Sequence, residues 1–276
     1  MKILVYGLPK SGTTVLAHRI LQSLPPPKRL IIEPGARRRD LEDRHGIVTK
    51  ELWGDAPAPA GPLGWWRAGR RRVQTDPRKI HADYADYEKK IWIARDPRDA
   101  LVSQFFYQWF KDDRPSKAKF REALKMVAQK EENPGTIPFR ELTSRFDERG
   151  EMARRDSPEY LSRVCDFVGA LDDSWLIVKY ENMVDRNLAE LSDYLGHAVR
   201  HDVEVPGSLS RVARSRGSGS WRDWFTEDDV SYWKPKYEAY MRLMAYDPED
   251  WRLNHPRRIP PDHGSVYMER LFHGEF

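Results

Sequence analysis

One cysteine, Cys165, stands in 276 residues. A single thiol excludes an internal disulfide framework and suits a reducing cytoplasm. Long apolar runs are missing too. No stretch approaches the roughly 18 residues of a membrane span, and the "ILVY" run after Lys2 is too short for a signal peptide. The expectation is a soluble, cytoplasmic protein. Charge of one sign is not in excess: 47 Lys+Arg face 43 Asp+Glu, a net charge of +4. That is too weak to argue for nucleic acid and fits a local basic site for a small polyanion. Internal repeats, low-complexity tracts and His/Cys/Asp clusters with metal-ligand spacing are lacking, so no metal is expected. Hydrophobic residues at 39% allow a sizeable core.

What is present alternates. "KILVYG" reads as a short buried strand ended by glycine, and "TTVLAHRILQSL" as a helix stopped by Pro25–Pro27. Further strands are expected at 29–33, 46–50, 89–95 and 174–180, and helices at 117–130, 157–171 and 181–196. A helix also opens after Arg95, with Asp96 as cap, Pro97 at the first position and Asp99 completing a variant capping box. The last long helix falls near 226–244, with Val230, Trp233, Tyr237, Tyr240, Met241 and Met244 on one face. Residues 54–77, rich in Gly, Pro and Ala, read as a long loop of the kind that often serves as a lid or binding segment, and the tail 246–276 is expected to be extended over the surface. Strands alternating with helices imply an α/β fold: one domain over 1–276, a central parallel sheet flanked by helices.

The first strand and helix are joined by "GLPKSGTT". A nucleotide-triphosphate loop reads G-x-x-x-x-G-K-[ST]. Gly7 and Gly12 keep that spacing, but Thr13 occupies the lysine position and Lys10 lies inside the loop. Backbone N–H groups at the start of the helix make an anion nest there. Thr13 and Thr14 add hydroxyl donors, and Lys10 can reach a bridging oxygen or leaving group.

These residues resemble the sulfotransferases that use 3′-phosphoadenosine 5′-phosphosulfate (PAPS). "YGLPKSGTT" looks like the family's 5′-phosphosulfate loop. "IWIARDPRDALVSQFF" resembles its 3′-phosphate segment, whose arginine and serine fall on Arg95 and Ser103, eight residues apart. "RSRGSGSWRDWFT" resembles R-K-G-x-x-G-D-W-K-N-x-F-T, with Ser215 and Arg216 in place of K-G, Gly217 one place late and Ser220 for the aspartate. "VKYENM" resembles the family's segment whose tyrosine lies near the adenine, which is Tyr180 here. Val15 stands where many relatives have an adenine-stacking tryptophan. The four segments occur in the family's order over residues 1–226.

The resemblance implies a P-loop sulfotransferase fold and transfer of a sulfuryl group from PAPS to a hydroxyl of a small-molecule acceptor. It implies donor contacts from Pro9, Lys10, Ser11, Gly12, Thr13, Thr14, Arg95, Ser103, Tyr180, Arg214, Arg216 and Gly217. In-line transfer of this kind asks for positioning and for stabilisation of charge on the leaving phosphate. Lys10 is the candidate for that charge.

The acceptor needs a general base. The family's K-T-H histidine position is Leu52 here, while Lys50 matches its lysine. Glu51 is the leading base candidate, with His45, His81 and Asp55 as alternatives; Lys10, Lys50 and Glu51 form the expected catalytic set. The aromatic run 105–110 reads as a core-facing stripe, and the Arg70–Arg72 run beside Trp65 and Trp66 as a solvated face or an acceptor contact. Two rivals stay in view. A P-loop kinase-like enzyme would need a magnesium-binding acid at a strand end, where no clear candidate stands. A non-catalytic nucleotide-binding module would be favoured by loss of Lys10 or of the 3′-phosphate contacts, and neither is lost.

Overall fold

The computed structural model describes residues 1–33, 46–54, 76–113, 115–147, 150–203, 214 and 217–275. In chain order its elements begin with β1 (Lys2–Gly7), α1 (Thr13–Ser23), β2 (Lys28–Ile32), β3 (Gly46–Leu52), α2 (Pro77–Asp83) and β4 (Lys89–Ala94). Next come α3 (Pro97–Tyr107), α4 (Lys117–Glu132), α5 (Phe139–Arg145), α6 (Glu151–Arg155) and α7 (Pro158–Gly169). The rest are β5 (Trp175–Lys179), α8 (Tyr180–Val184), α9 (Ala189–Leu195), α10 (Trp221–Trp224), α11 (Glu227–Leu243) and α12 (Ser265–His273). They gather into two compact units: Met1–Arg95 with Asp166–Val205, and Asp96–Cys165 with Pro206–Phe276.

The first unit holds a five-stranded sheet in the order β2-β3-β1-β4-β5. Every pairing is parallel. Ile3, Leu4, Val5, Ile91, Trp92 and Ile93 are all fully buried, as expected of central strands covered on both faces. Alternation sends Ile3, Val5, Val48, Ile91 and Ile93 to one face, where they pack with Leu16, Ala17 and Ile20 of α1. The opposite face is aromatic: Tyr6 meets Trp92 and Phe167, each at 5.7 Å between ring centres.

The second unit is helical, and its core is built from aromatic rings. Phe105, Phe106, Trp109, Phe139, Trp221, Trp224 and Trp233 are essentially buried. Truncating any one of them to alanine should cost about 3–5 kcal/mol. The run 105–110 is thus core, with only Tyr107 and Gln108 half-buried.

Three local expectations are corrected. The helix expected over 181–196 is two short ones: Arg186 takes a positive φ of 58°, and the Asn187 N–H turns back to the Asn182 carbonyl at 2.8 Å. Its expected end holds, since Gly196 caps α9 at φ 73°. Asp99 does not close a capping box, because its carboxylate accepts from Gly219, Ser220 and Trp221 instead. The tail is not wholly extended: α12 buries Tyr267, Met268 and Leu271. Glu131 anchors its first turn, accepting from the Ser265 N–H and Oγ at 2.6 Å each.

Candidate functional site

The loop between β1 and α1 sits at the carboxyl edge of the sheet, where open parallel sheets bind ligands. The Ser11 N–H donates to the Leu8 carbonyl at 3.1 Å, closing a four-residue turn with Pro9 second and Lys10 third. Lys10 takes φ 71°, as the third residue of a type II turn must, although glycine or asparagine usually stands there. For a lysine this conformation costs about 1–2 kcal/mol. The Ser11 hydroxyl donates to the same Leu8 carbonyl at 2.6 Å. Gly12 precedes α1 at φ 94°, and α1 has neither a side-chain cap nor an acidic residue in its first turn. Its N-terminal amides and the Thr13 and Thr14 hydroxyls therefore suit an anion from outside the helix.

Two further predicted residues in this unit converge on the loop. Arg95, directly after β4, donates from Nη1 to the Lys10 carbonyl at 2.9 Å. Its guanidinium lies over the Tyr180 ring at 4.2 Å. Tyr180 also packs on Gly12: a Cβ there would come within 2.5 Å of Tyr180 Cδ2 and 3.2 Å of Met183 Cε. The loop thus needs glycine at 12 for space as well as for φ. Arg19 secures the other side, donating to the Met183 carbonyl at 2.8 Å. His18 of α1 is buried, and burial pushes its pKa below the usual value.

Lys50 and Glu51 leave β3 on opposite faces. Lys50 is ion-paired with Glu33. Glu51 is buried on the aromatic face, where its Oε1 accepts from the Tyr84 hydroxyl at 2.9 Å. Tyr84 packs edge-on against Tyr87 at 4.8 Å, and the Tyr87 and Thr49 hydroxyls bond at 2.6 Å. Glu51 is therefore held in a walled tyrosine pair rather than solvated. His81, on α2, is half-buried. Its Nδ1 lies 3.8 Å from the exposed Asp172 carboxylate, and its ring edges onto Trp175 at 6.1 Å.

Ser103 and Arg214 belong to the second unit. On α3, Asp99, Ser103 and Phe106 share a face by helical spacing. Asp99 binds Ser220, and the Arg214 guanidinium lies over Phe106 at 5.2 Å. Ser103 is buried on the helix face it shares with Phe106. Arg214 donates from Nη2 to Ser220 Oγ at 2.5 Å and from Nη1 to the His263 carbonyl at 2.8 Å. Gly217 is half-buried near the start of this segment. Sequence reasoning missed Asp99, Tyr84, Phe106 and Ser220 as supports, because only the fold brings them to their partners. Arg216, His45, Asp55, Trp65, Trp66, Arg70–Arg72 and nearly all of the 54–77 loop lie outside the described residues.

A parallel α/β sheet with a turn and an uncapped helix start at its carboxyl edge is an architecture shared by many unrelated proteins. The sequence is similar to a mouse protein named Sulfotransferase 2A6. The two are 24% identical over 246 residues, spanning 81% of this chain and 78% of the mouse protein. A solved structure of mouse sulfotransferase SULT7A1 complexed with PAP matches with a TM-score of 0.49 and 16% identity, covering 89% of each chain. No family model matches the sequence. Among the described residues no helix is long and apolar enough to cross a membrane.

Proposed function

We propose that the protein transfers a sulfuryl group from PAPS to a hydroxyl of a small-molecule acceptor. The observation that carries this reading is the Lys10 turn, tied through its carbonyl to Arg95 and packed through Gly12 on Tyr180. That cluster joins three of the four segments the chain shares with PAPS-dependent enzymes. The uncapped start of α1 fits the donor's 5′-phosphosulfate, held by backbone amides, Thr13 and Thr14. Arg95, Ser103 and Arg214 are assigned to the 3′-phosphate, for which guanidinium and hydroxyl donors are suited. Tyr180 is assigned to the adenine side. Pro9 and Ser11 shape the turn, while Arg216 and Gly217 belong to the 3′-phosphate segment.

In the reaction the acceptor oxygen bonds to sulfur as the sulfur–oxygen bond to the 5′-phosphate breaks. Lys10 neutralises the charge growing on that bridging oxygen, a stabilisation realised mainly in the transition state. Glu51 takes the acceptor proton, and the Tyr84 hydroxyl fixes the orientation of its carboxylate. Lys50, paired with Glu33, sets the far side of the strand end. The walls around Glu51 are aromatic, which suits an acceptor with apolar surface.

The test compares 3′,5′-adenosine bisphosphate (PAP), the desulfated product, with 5′-AMP, which lacks the 3′-phosphate. At a hundredfold excess over Kd, PAP should stabilise the protein by about 2.7 kcal/mol, and 5′-AMP by clearly less at the same concentration. Equal stabilisation would remove the assignment of Arg95, Ser103 and Arg214. An acceptor screen with isotopically labelled sulfate donor then identifies the hydroxyl. A strict requirement for ATP and magnesium would overturn the sulfuryl reading.

A further inference from the structure

Asp99 is an acidic residue with no solvent exposure, placed beside a segment assigned to an anion. Its carboxylate is filled by three donors from one stretch of chain. Oδ2 accepts from the Gly219 N–H at 2.5 Å, and Oδ1 from the Trp221 N–H at 3.1 Å and the Ser220 hydroxyl at 3.0 Å. A serine hydroxyl has one proton and two lone pairs. The proton of Ser220 is committed to Asp99, so its oxygen faces Arg214 as an acceptor, and Nη2 meets it at 2.5 Å. The guanidinium is fixed at two more places, by the His263 carbonyl on Nη1 and by the Phe106 ring beneath its plane.

We propose that Asp99 and Ser220 are positioning residues for Arg214. The chain Asp99–Ser220–Arg214 sets the orientation in which the guanidinium meets the 3′-phosphate of the donor. The inference rests on the donor reading above, and goes beyond it by assigning the two groups that aim the arginine. The related motif has aspartate where Ser220 stands. Here that carboxylate would face Asp99 directly, and two adjacent carboxylates repel. Serine removes the conflict, because it offers a donor to Asp99 and an acceptor to Arg214 at once. A fixed guanidinium loses less freedom when it binds an oxyanion, so the arrangement acts on affinity for the one phosphate that Arg214 contacts.

The experiment measures Kd for PAP and for 5′-AMP by calorimetry in wild type, Ser220→Ala, Ser220→Thr and Asp99→Asn, with melting temperatures recorded alongside. Ser220→Ala should weaken PAP by about tenfold, the scale of one hydrogen bond to a charged group, and leave 5′-AMP unchanged. Ser220→Thr keeps the hydroxyl and should restore PAP binding. In an Arg214→Ala background, Ser220→Ala should have no further effect on PAP, since the group it aims is gone. Equal weakening of PAP and 5′-AMP, or full additivity with Arg214→Ala, would show a structural role only and overturn the proposal. Unchanged PAP binding in Ser220→Ala would overturn it as well, and this arm stands even if Asp99→Asn fails to fold. If wild type binds PAP and 5′-AMP alike, the donor reading itself falls and the positioning role falls with it. If wild type discriminates while Ser220→Ala discriminates equally, only the positioning role falls.

Discussion

Arg95 Nη1 donates to the carbonyl oxygen of Lys10 at 2.9 Å, and Lys10 holds a positive φ of 71°. The residue assigned to the 3′-phosphate thus also braces the turn that carries the residue assigned to the leaving oxygen. Arg95→Lys keeps the charge but loses the planar fork. It should lower PAP affinity and also lower kcat at saturating donor by roughly tenfold, because a loosened turn misplaces Lys10. Steady-state kinetics decide: an Arg95→Lys enzyme with wild-type kcat and a raised donor KM would show that the brace has no catalytic role.

Lys10→Ala should lower kcat by roughly 10²-fold or more, the scale for removing one stabiliser of developing charge. The loss of PAP affinity should be smaller, since the charge on the bridging oxygen grows mainly in the transition state. Equal losses in kcat/KM and in PAP binding would place Lys10 in ground-state binding instead.

Glu51→Gln preserves size and can still accept from the Tyr84 hydroxyl through its amide oxygen. If Glu51 takes the acceptor proton, the variant should lose roughly 10²–10⁴-fold in kcat and the acidic limb of the pH–rate profile, with PAP binding unchanged. The comparison variant is His81→Ala. An active Glu51→Gln beside a dead His81→Ala would move the base to α2 without disturbing the donor assignment.

His18 is buried in α1, and burial lowers its pKa below 6.5. Above that pH both folded and unfolded chains carry it neutral, and it imposes no penalty. Below 6.5 the unfolded chain takes up a proton that the fold resists, so stability declines until pH passes the folded value. Urea unfolding across pH 7.5 to 5 (about one unit either side of the ordinary histidine range) should show a shallower decline in His18→Gln than in wild type. Identical slopes would refute the assignment.

Glu131 holds the start of α12 through Ser265. Glu131→Ala leaves a partly buried N–H and hydroxyl without their acceptor and should cost about 1 kcal/mol or more. Limited proteolysis should then cut first within 260–275. An unchanged urea midpoint with an unchanged cleavage pattern would mean that Tyr267, Met268 and Leu271 hold the tail by themselves.

Much of this was legible in the sequence, because the signals were local. A short apolar run ended by glycine has few alternatives to a buried strand, and "KILVYG" and "KKIWIA" became central strands. Asp96 and Pro97 fix a helix start by their own chemistry, and the Asp96 side chain accepts the Arg98 N–H at 2.9 Å. The spacing of Gly7, Lys10 and Gly12 reads as a loop between a strand and a helix, and a tight turn stands there between β1 and α1. Where local signals competed, the reading went astray. "ENMVDRNLAELSDYLG" has helical composition throughout, yet the chain reverses at Arg186. Asp99 had the spacing of a capping residue and was taken by backbone amides 120 positions away.

The sequence by itself determined the strand-loop-helix order and where cationic and hydroxyl side chains stand along it, since these follow from propensity, spacing and donor chemistry within a few neighbouring positions. Tertiary structure alone decided the partners: Arg95 to the Lys10 carbonyl, Tyr84 to Glu51, Asp99 through Ser220 to Arg214. All but the Ser220–Arg214 contact join residues far apart in the chain. They form because buried polar groups must find partners once the core closes around them, and which partner lies within reach is set by how the chain packs.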